Sequence, residues 1–365
     1  MAFSLTKIFG GVGKAAVPTG PLTSVGIDIG GSSVKVVELE ETEQAVKLRT
    51  YGELQLGPYE SQPLGEVIAL SEQHRVEAVT DVLREAGVKS RRGTLAMPLS
   101  SSFLTVFQLP AVANGQDDLS SRIPVEARKY VPLPLIDVTL DWNELAPLPG
   151  AQSNMHEIML VAVENKALEE YRALLSAIGM TAEPAEIEAF GLVRSLWREG
   201  DTHLAIVDIG ARAAKLYLVR DGVLERLHRV GLGGREITSR VAGKFNIPFE
   251  QAENDKRAYD RTQGNGPEIF GITAAVLEAS FSEFGRLLGQ YEARIGQPIG
   301  RVVIAGGVAS GSNMVDLARD RLGRPVELAD PFAKVAYPAF LEDTLHAIGP
   351  SFGVALGAAL RVFQQ

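Results

Sequence analysis

Two segments in opposite halves of the chain share one pattern of aspartate, glycine and lysine. Residues 26–39 read GIDIGGSSVKVVEL, and residues 206–219 read IVDIGARAAKLYLV. In both, β-branched and apolar runs flank a short glycine turn, which predicts a strand–turn–strand unit. The repetition therefore indicates a duplicated hairpin. The alignment matches three residues of each copy: Asp28 with Asp208, Gly30 with Gly210, and Lys35 with Lys215.

The chemistry that these hairpins suit is the binding of a polyphosphate and its metal ion. A glycine turn lets the backbone approach an anion because no Cβ is in the way, and successive turn N–H groups form a concave anion site. Ser32, Ser33 and Lys35 add donors and a positive charge. An aspartate at the end of the first strand suits hydrated Mg²⁺, which is usually bound by few carboxylates. The alternative is a pair of ordinary glycine hairpins with exposed aspartates.

A third glycine loop lies late in the chain. Residues 302–314 read VVIAGGVASGSNM, so an apolar strand ends in Gly-Gly and leads to a helix with serine or asparagine near its start. Such a loop can lie flat against a nucleobase or sugar. By itself it is weak evidence, because many strands of α/β folds end in glycine, but together with both hairpins it favours a nucleotide cleft.

The elements that must position these segments alternate between strands and helices, as in an α/β fold. Between the two halves, the pattern predicts a βαββα block that is a candidate inserted subdomain. Strands are predicted at residues 24–39, 46–56, 93–97, 103–109, 138–142, 157–163, 203–219, 301–305 and 326–328. Helices are predicted at residues 64–86, 117–130, 165–178, 187–198, 236–245, 249–260, 269–295, 313–322 and 352–363.

Composition limits the class of protein. The 365 residues allow two domains with large cores, and the formal net charge of −9 argues against nucleic-acid binding as the main function. Cysteine is absent, which excludes disulfides and thiolate metal sites. No stretch approaches the roughly 18 apolar residues of a membrane span. The glycine-rich residues 1–21 are predicted to be a flexible leader, with a short amphipathic membrane contact as the alternative.

The motifs also carry a resemblance to known families. DIGGSSVK, DIGA and AGGVASG resemble the phosphate-1, phosphate-2 and adenosine motifs of the actin, Hsp70 and sugar-kinase superfamily. The sequence resembles one branch in more detail, over about residues 22–362. This branch is the type IV pilus assembly protein PilM family, which is related to FtsA. Gly31 stands where that family has serine. The segments that carry this resemblance are residues 25–39, 123–142, 185–196, 231–238, 252–257 and 330–332.

The resemblance implies an α/β, actin-like (ribonuclease H-like) duplicated two-lobe fold with an inserted βαββα, SHS2-like subdomain. Residues 22–100 and 181–200 would form the core of the first lobe, called 1A. Residues 101–180 would form the inserted subdomain, called 1C. Residues 201–365 would form the second lobe, called 2A, with a further subdomain, 2B, around residues 246–298.

The resemblance also implies that ATP binds between the lobes with Mg²⁺, and that Asp28 and Asp208 lie near the metal ion. Glu188 stands where relatives place a residue that orients the attacking water; the alternative is a solvated helix carboxylate. The phosphates would contact Asp28, Gly30, Gly31, Ser32, Ser33, Lys35, Asp208 and Gly210. Glu253 and Lys256 would hold the ribose or adenine, and the base would be lined by Gly233, Gly234, Gly306, Gly307 and Val308.

The second hairpin departs from the family pattern. Many relatives carry small hydroxyl residues after DIGA, whereas this chain has Arg212, Ala213 and Ala214. Backbone amides, Arg212 or Lys215 are the candidates to replace the missing donors, since charged donors make the stronger contacts. We therefore expect ATP binding with weak or slow hydrolysis, which leaves open whether the chain is an enzyme.

The function implied is that of a cytoplasmic ATP-binding scaffold at the inner face of the cytoplasmic membrane, in the machine that assembles type IV pili and drives twitching motility. Its membrane association would be indirect, through the N-terminal cytoplasmic tail of a PilN-like membrane protein. The other implied partners are the pilus assembly and retraction ATPases, with self-association as a further option and no nucleic acid. The proline-rich residues 130–135 are a candidate part of the peptide groove; a plain linker is the alternative.

Two other functions are considered. An FtsA-like protein would form filaments and tether them to the membrane, in many cases through a C-terminal amphipathic helix after a linker. Here the sequence stops at Gln365, soon after the predicted helix at residues 352–363. A small-molecule kinase of the same superfamily would need an acidic residue in a substrate pocket, and residues 103–179 offer no distinct candidate.

Overall fold

The computed structural model describes residues 21–112, 118–148, 154–183 and 185–363. Except for Pro21, the leader predicted at residues 1–21 lies outside the described residues. The strands are β1 (Thr23–Ile29), β2 (Ser33–Glu41), β3 (Val46–Gln55), β4 (Arg92–Met97), β5 (Ser102–Pro110), β6 (Val138–Leu145), β7 (Met155–Glu164), β8 (Thr181–Ala182), β9 (Glu186–Ile187), β10 (His203–Ile209), β11 (Ala214–Arg220), β12 (Val223–Val230), β13 (Arg301–Ala305) and β14 (Glu327–Leu328).

Ten α-helices lie in the described part of the chain. They are α1 (Glu72–Glu85), α2 (Leu119–Ala127), α3 (Asn165–Ala177), α4 (Glu188–Leu196), α5 (Gly234–Phe245), α6 (Phe249–Ala258), α7 (Gly266–Ile295), α8 (Met314–Leu322), α9 (Glu342–Ile348) and α10 (Gly353–Leu360). No single helix among the described residues is both long and apolar enough to cross a membrane. A helix pair bent by 97°, Ala339–Ser351 with Gly353–Phe363, meets those two criteria only when taken together.

Two sheets of the same design form the cores of the two lobes. The first has the strand order β3–β2–β1–β4–β8, with β9 also paired to β4, and the second has the order β12–β11–β10–β13–β14. In each sheet the hairpin strands pair antiparallel and the next central strand pairs parallel. All of β10 and residues 24–27 of β1 are buried, which is typical of sheets that are covered on both faces. The duplication predicted from the sequence is therefore present as a duplicated sheet.

The inserted subdomain has the predicted βαββα order, β5–α2–β6–β7–α3. Its three strands form a separate antiparallel sheet in the order β5–β7–β6. Pro124 lies inside α2. This subdomain follows β4 of the first lobe, to which the short turn Leu99–Ser101 connects it.

Helices α4 and α10 lie between the two lobes and cross at very close range. A Cβ on Gly357 of α10 would overlap the backbone of Gly191 in α4, and a Cβ on Gly26 of β1 would overlap the carbonyl of Ala355 in α10. Helix α10 thus comes from the second half of the chain but packs on β1 of the first lobe, while α4 also contacts β12 of the second lobe. These contacts of α10 with β1 and of α4 with β12 join the two lobes.

Five elements differ from the predictions. The helix predicted at residues 64–86 begins only at Glu72, because Gly65 adopts a positive φ of 82° and Ser71 caps the helix by accepting from the His74 N–H. Strands β8, β9 and β12 and helix α9 were not predicted. The other predicted helices and strands are present, with bounds that differ by a few residues.

Candidate functional site

The first hairpin joins β1 to β2 through the glycine–serine turn. Asp28 lies directly across from Lys35 in the strand register, and the Gly30 N–H donates to the Ser33 carbonyl at 2.9 Å. The buried Lys35 ammonium donates to Ser33 Oγ at 2.6 Å and lies 3.1 Å from Glu53 Oε1 on β3. Burial opposes ionisation of Glu53, but Lys35 and Ser33 nevertheless hold its pKa below the usual value. Lys35 is therefore neutralised within its own lobe.

The second hairpin joins β10 to β11 with the same backbone geometry. Asp208 lies across from Lys215, and the Gly210 N–H donates to the Ala213 carbonyl at 3.0 Å. Lys215 Nζ donates to Glu188 Oε1 at 3.0 Å and lies 3.4 Å from Asp208 Oδ2. The lysine of the second hairpin therefore reaches across to α4 of the first lobe.

The tips of the two hairpins face each other. A Cβ placed on Gly31 would lie 3.6 Å from the Ala211 Cβ and 3.8 Å from the Arg212 Cβ. Asp28 and Asp208 border the same cavity of about 720 Å³, which is within the usual size of a small-molecule site. The duplicated aspartates therefore share one cleft instead of lying on remote surfaces.

Three carboxylates meet at the base of this cavity. Burial raises the pKa of Asp28 to about 6; Lys35 opposes this shift, and the charge of Glu188 adds to it. Burial also raises the pKa of Asp208, again with the nearest lysine, Lys215, opposing. Because the ionised aspartates are disfavoured here, a cation bound between them would stabilise their charge.

Glu188 occupies the first position of α4 and connects three parts of the molecule. Its Oε1 atom accepts the Leu99 N–H at 3.1 Å and the Lys215 ammonium at 3.0 Å. The side chain is only 15% exposed. Glu188 is therefore a bonded carboxylate in the cleft and not a solvated one on a helix surface.

The late glycine loop closes the cavity from the second lobe. Gly306 has a φ of 89°, which favours glycine, and a Cβ there would lie 2.5 Å from Asp208 Oδ1. The Val308 N–H donates to the Ile209 carbonyl at 3.2 Å, which fixes the loop beside β10. Gly307 and Val308 line the cavity, so the loop lies next to the second hairpin.

Glu253 and Lys256 also line the cavity, on α6, but they bond to each other. The buried Glu253 carboxylate accepts from Lys256 Nζ at 2.6 Å, from Thr238 Oγ1 at 2.5 Å and from Arg257 Nε at 2.7 Å. A Cβ on Gly65, in the loop after β3, would overlap this carboxyl group. The pair expected at the ribose or adenine is thus held in a closed network, which the first-lobe loop covers.

The structure brings nearly all the predicted site residues around one cavity. Gly233 is outside this set, because it packs behind the second turn, where a Cβ would lie 2.5 Å from the Gly210 carbonyl oxygen. The predicted residues that line the cavity are Asp28, Gly30, Gly31, Ser32, Ser33, Lys35, Glu188, Asp208, Gly210, Arg212, Lys215, Gly234, Glu253, Lys256, Gly306, Gly307 and Val308.

Two cavity residues on the outer hairpin strands were missed. Glu53 on β3 lies across from Lys35, and Arg229 on β12 lies across from Lys215. Glu53 could have been found from the two-residue alternation of the predicted third strand. Arg229 could not, because the strand that carries it was not predicted.

The donor set fits a magnesium nucleotide. In the described part of the chain, no group of three or more histidine, aspartate or glutamate side chains is arranged to hold a metal ion alone. Mg²⁺ usually keeps several waters and takes only one or two carboxylates together with substrate phosphates, and Asp28 and Asp208 supply that number. The turn N–H groups, Lys35 and Arg212 are donors of the kind that phosphate requires.

Two lobes, each with its own sheet of the same design and each contributing one hairpin to a shared cleft, define an actin-like protein. The same fold occurs in the ethanolamine utilization protein EutJ from Carboxydothermus hydrogenoformans, with a TM-score of 0.56 and 15% identity over 98% of this chain and 95% of that one. The chain belongs to the type IV pilus assembly protein PilM family, whose model matches residues 26–363.

Individual relatives agree with this assignment. A solved structure of a PilM–PilN type IV pilus biogenesis complex matches with a TM-score of 0.77 and 25% identity, over 94% of this chain and 99% of that chain. The cell division protein FtsA of Rhizobium meliloti is 26% identical over 220 residues, which are 54% of this chain and 48% of that protein. The chain thus spans about half the length of this curated relative. FtsA of Enterococcus hirae is 23% identical over 84% of this chain and 78% of its own length.

Proposed function

We propose that this chain is the cytoplasmic, actin-like ATP-binding component of a type IV pilus assembly platform. The observation that carries the proposal is that Asp28 and Asp208, at equivalent positions of two equivalent hairpins, border one cavity of about 720 Å³. Membership of the PilM family supports the pilus context. In this proposal the chain works at the inner face of the cytoplasmic membrane and reaches the membrane through its partner.

The two hairpin turns would bind the phosphates of ATP, and Mg²⁺ would lie near Asp28 and Asp208. When bound, the metal ion would neutralise charge on the phosphates. Arg212, which is exposed in the second turn and lines the cavity, would take the place of the hydroxyl donors that this turn lacks. Gly306 and Val308 would leave room for the nucleoside beside the second lobe.

Hydrolysis would be slow for a structural reason. Glu188 is the candidate to orient the attacking water, but its Oε1 atom already accepts from Lys215 and from the Leu99 N–H. Both lone pairs of Oε1 are thus occupied, so only Oε2 would be left to orient a water. The expected behaviour is a protein stabilised by its nucleotide that turns it over slowly.

The partner tail would bind in an apolar groove that opens from the same cavity. Leu70 of the first lobe, Leu99, and Tyr171 and Leu174 of α3 line this groove. An ion pair between Arg75 of α1 and Glu170 of α3, at 3.5 Å, bridges the two elements. We name this region the 1A–1C groove and propose the PilN-like tail as its occupant, since the PilM–PilN complex matches nearly the whole chain.

Residues 130–135 are a different surface from the 1A–1C groove. Tyr130 stacks on Phe107 with ring centroids 5.0 Å apart, and Leu133 is 40% exposed. None of these six residues lines the cavity described above. The pilus assembly and retraction ATPases, and a second copy of the chain, are the further partners in this proposal.

A peptide titration tests the proposal. A synthetic peptide with the sequence of a PilN-like cytoplasmic tail is titrated into the purified chain by calorimetry, with and without Mg-ATP. We expect binding in at least one condition, and an affinity that changes at least about fivefold with nucleotide, the lower end of typical allosteric coupling. No binding in either condition contradicts the partner, and equal affinities contradict the coupling.

Matched variants distinguish the two candidate surfaces. Ala167→Arg adds a long side chain on α3 in the 1A–1C groove, and Leu133→Arg adds the same side chain in the exposed segment of the inserted subdomain. We expect Ala167→Arg to abolish peptide binding and Leu133→Arg to leave it unchanged. The opposite result would assign the peptide to residues 130–135.

The FtsA relatives favour a second candidate, a filament-forming protein that tethers to membranes. Sedimentation with Mg-ATP, with and without lipid vesicles, separates the two functions. An FtsA-like protein would pellet with nucleotide or with vesicles alone. The PilM-like scaffold would stay in the supernatant until a membrane partner is supplied.

A further inference from the structure

The Glu188 carboxylate lies between the phosphate end of the cleft and the 1A–1C groove. On one side, its Oε1 atom accepts from Lys215, which also lies 3.4 Å from Asp208. On the other side, the same atom accepts the backbone N–H of Leu99 at 3.1 Å. Leu99 lines the cavity and opens the short turn Leu99–Ser101, which leads directly into β5 of the inserted subdomain.

One oxygen that serves two donors makes these two contacts competitive. The Lys215 ammonium draws electron density from Glu188 and weakens the hydrogen bond to Leu99. A phosphate placed beside the second turn would compete with Glu188 for Lys215, because phosphate oxygens are strong acceptors for ammonium donors. Release of Lys215 would then strengthen the bond between Glu188 and the Leu99 N–H.

We propose that Glu188 is the positioning residue that couples the two sites: phosphates that bind Lys215 tighten the Glu188–Leu99 bond, and this fixes the wall of the 1A–1C groove. The inference rests on the proposed nucleotide and peptide sites, and it names the contact between them. Such coupling requires an element with two states. Here Lys215 bonds either to Glu188 or to a phosphate.

A second carboxylate gives the matched control. Glu157 on β7 also joins the inserted subdomain to the second lobe, through Arg226 at 2.8 Å and Arg294 at 2.6 Å. Its side chain is 13% exposed, close to the 15% of Glu188. Glu157, however, contacts neither the hairpins nor the Leu99 segment in these interactions. A general loosening between lobe and subdomain would therefore follow from Glu157→Gln, whereas the proposed link is specific to Glu188.

Hydrogen exchange at the Leu99 amide tests the link without any partner. In the wild type, saturating Mg-ATP is expected to slow exchange at Leu99 by at least about fivefold, because a stronger hydrogen bond opens less often. Lys215→Gln is expected to slow this exchange without nucleotide. Glu188→Gln is expected to reduce the nucleotide response to less than about twofold, while Glu157→Gln retains it. An unchanged Leu99 amide in wild type, or a full response in Glu188→Gln, overturns the proposal.

The peptide titration extends the test to the groove. Glu188→Gln is expected to bind the tail peptide and Mg-ATP, but with peptide affinities that differ by less than about twofold between the two conditions. Glu157→Gln is expected to keep the wild-type ratio. If the wild-type chain binds no peptide, the partner assignment fails while the exchange experiment still decides the role of Glu188. If Glu188→Gln keeps the wild-type ratio, the coupling role of Glu188 is refuted even though the partner assignment stands.

Discussion

The first hairpin sets Lys35 between Asp28 and Glu53, whereas the second sets Lys215 between Asp208 and Arg229. The backbone is the same in both: the aspartate and lysine are cross-strand partners, and the turn is closed by one N–H to carbonyl bond of 2.9 or 3.0 Å. In the row of side chains that runs through the two lysines, only the residue on the outer strand differs in charge. The row of side chains across the first sheet is acidic, basic and acidic, and across the second it is acidic, basic and basic.

This difference shows what duplication preserves. Strand register and turn geometry fix where the backbone N–H groups point, so both copies keep them. Side-chain donors are free to diverge: the first turn keeps Ser32 and Ser33, and the second has Arg212 instead. Within residues 21–112, 118–148, 154–183 and 185–363, neither Arg212 nor Arg229 makes an ion pair, so both cations remain available to an anion in the cleft.

The largest loss of stability is expected at Gly26, because only the first lobe packs against α10 at this position. Gly26 aligns with Ile206, yet only Gly26 lies under the backbone of α10, where a Cβ would overlap the Ala355 carbonyl. Gly26→Val is expected to lower the free energy of unfolding by about 3 kcal/mol or more, because the helix must move away from β1. Equilibrium urea unfolding followed by circular dichroism measures this change.

The matched substitution in the second lobe is Ile206→Val. It removes one buried methylene and is expected to cost about 1 kcal/mol. Equal losses of unfolding free energy in the two variants would mean that α10 can shift away from β1 at little cost. The close contact between helix and strand would then not hold the lobes together.

The next effect concerns the charge of the first aspartate. Burial raises the pKa of Asp28 from 3.8 to about 6, so its contribution to stability is complete below about pH 3.8 and is lost as the pH rises through about 6. Asparagine carries no charge. In EDTA without nucleotide, Asp28→Asn is therefore expected to be more stable than wild type by about 3 kcal/mol at pH 7.5, with the difference shrinking as the pH falls below 6 and vanishing at about pH 3.

Urea unfolding at several pH values provides the measurement. Asp137→Asn, in the inserted subdomain and outside the cavity, is the matched substitution that tests whether the gain is confined to the cleft. A destabilised Asp28→Asn protein at pH 7.5 would contradict the electrostatic description of the cleft.

A smaller effect separates the donors of the two turns. Arg212→Ala is expected to weaken Mg-ATP binding by about tenfold, because a hydrogen bond to a charged group contributes roughly 1.5–3 kcal/mol. Ser32→Ala is expected to weaken it only about two- to threefold, since the serine hydroxyl carries no charge and its loss removes no Coulomb attraction to the phosphates. Calorimetry at two salt concentrations measures both affinities for Mg-ATP. We expect the affinity of the wild type to depend more strongly on salt than that of Arg212→Ala. The reverse order would place the phosphates against the first turn alone.

Local sequence patterns were sufficient to predict the parts of the fold that repeat. Both hairpins, the late glycine loop and the βαββα order follow from apolar runs and from glycine positions. Strand β12 was missed because Glu225, Arg226 and Arg229 interrupt its apolar pattern. Glu225 is nevertheless buried, since Arg220 and Tyr291 bond to it. Such compensation comes from distant residues and leaves no local signal.

The site shows the same limit. The residue types of the proposed phosphate site could be predicted from the motifs, because each hairpin carries them within a few residues. The three-residue spacing of Glu253 and Lys256 already places them on one face of a helix, but the contacts of Glu253 with Thr238 and of Glu188 with Leu99 could not be predicted, because they depend on how separate elements pack. Gly65 shows this clearly, since a loop predicted as helix lies against α6 of the other lobe.

The central claim is that both hairpins serve one nucleotide, and calorimetric titration with ATP in the presence of Mg²⁺ tests it most directly. The expected result is one ATP per chain, with at least about tenfold weaker binding in Asp28→Asn and in Asp208→Asn alike, because each removes a carboxylate near the metal ion. Wild-type affinity in Asp208→Asn, or no ATP bound by the wild-type chain, would contradict a shared site.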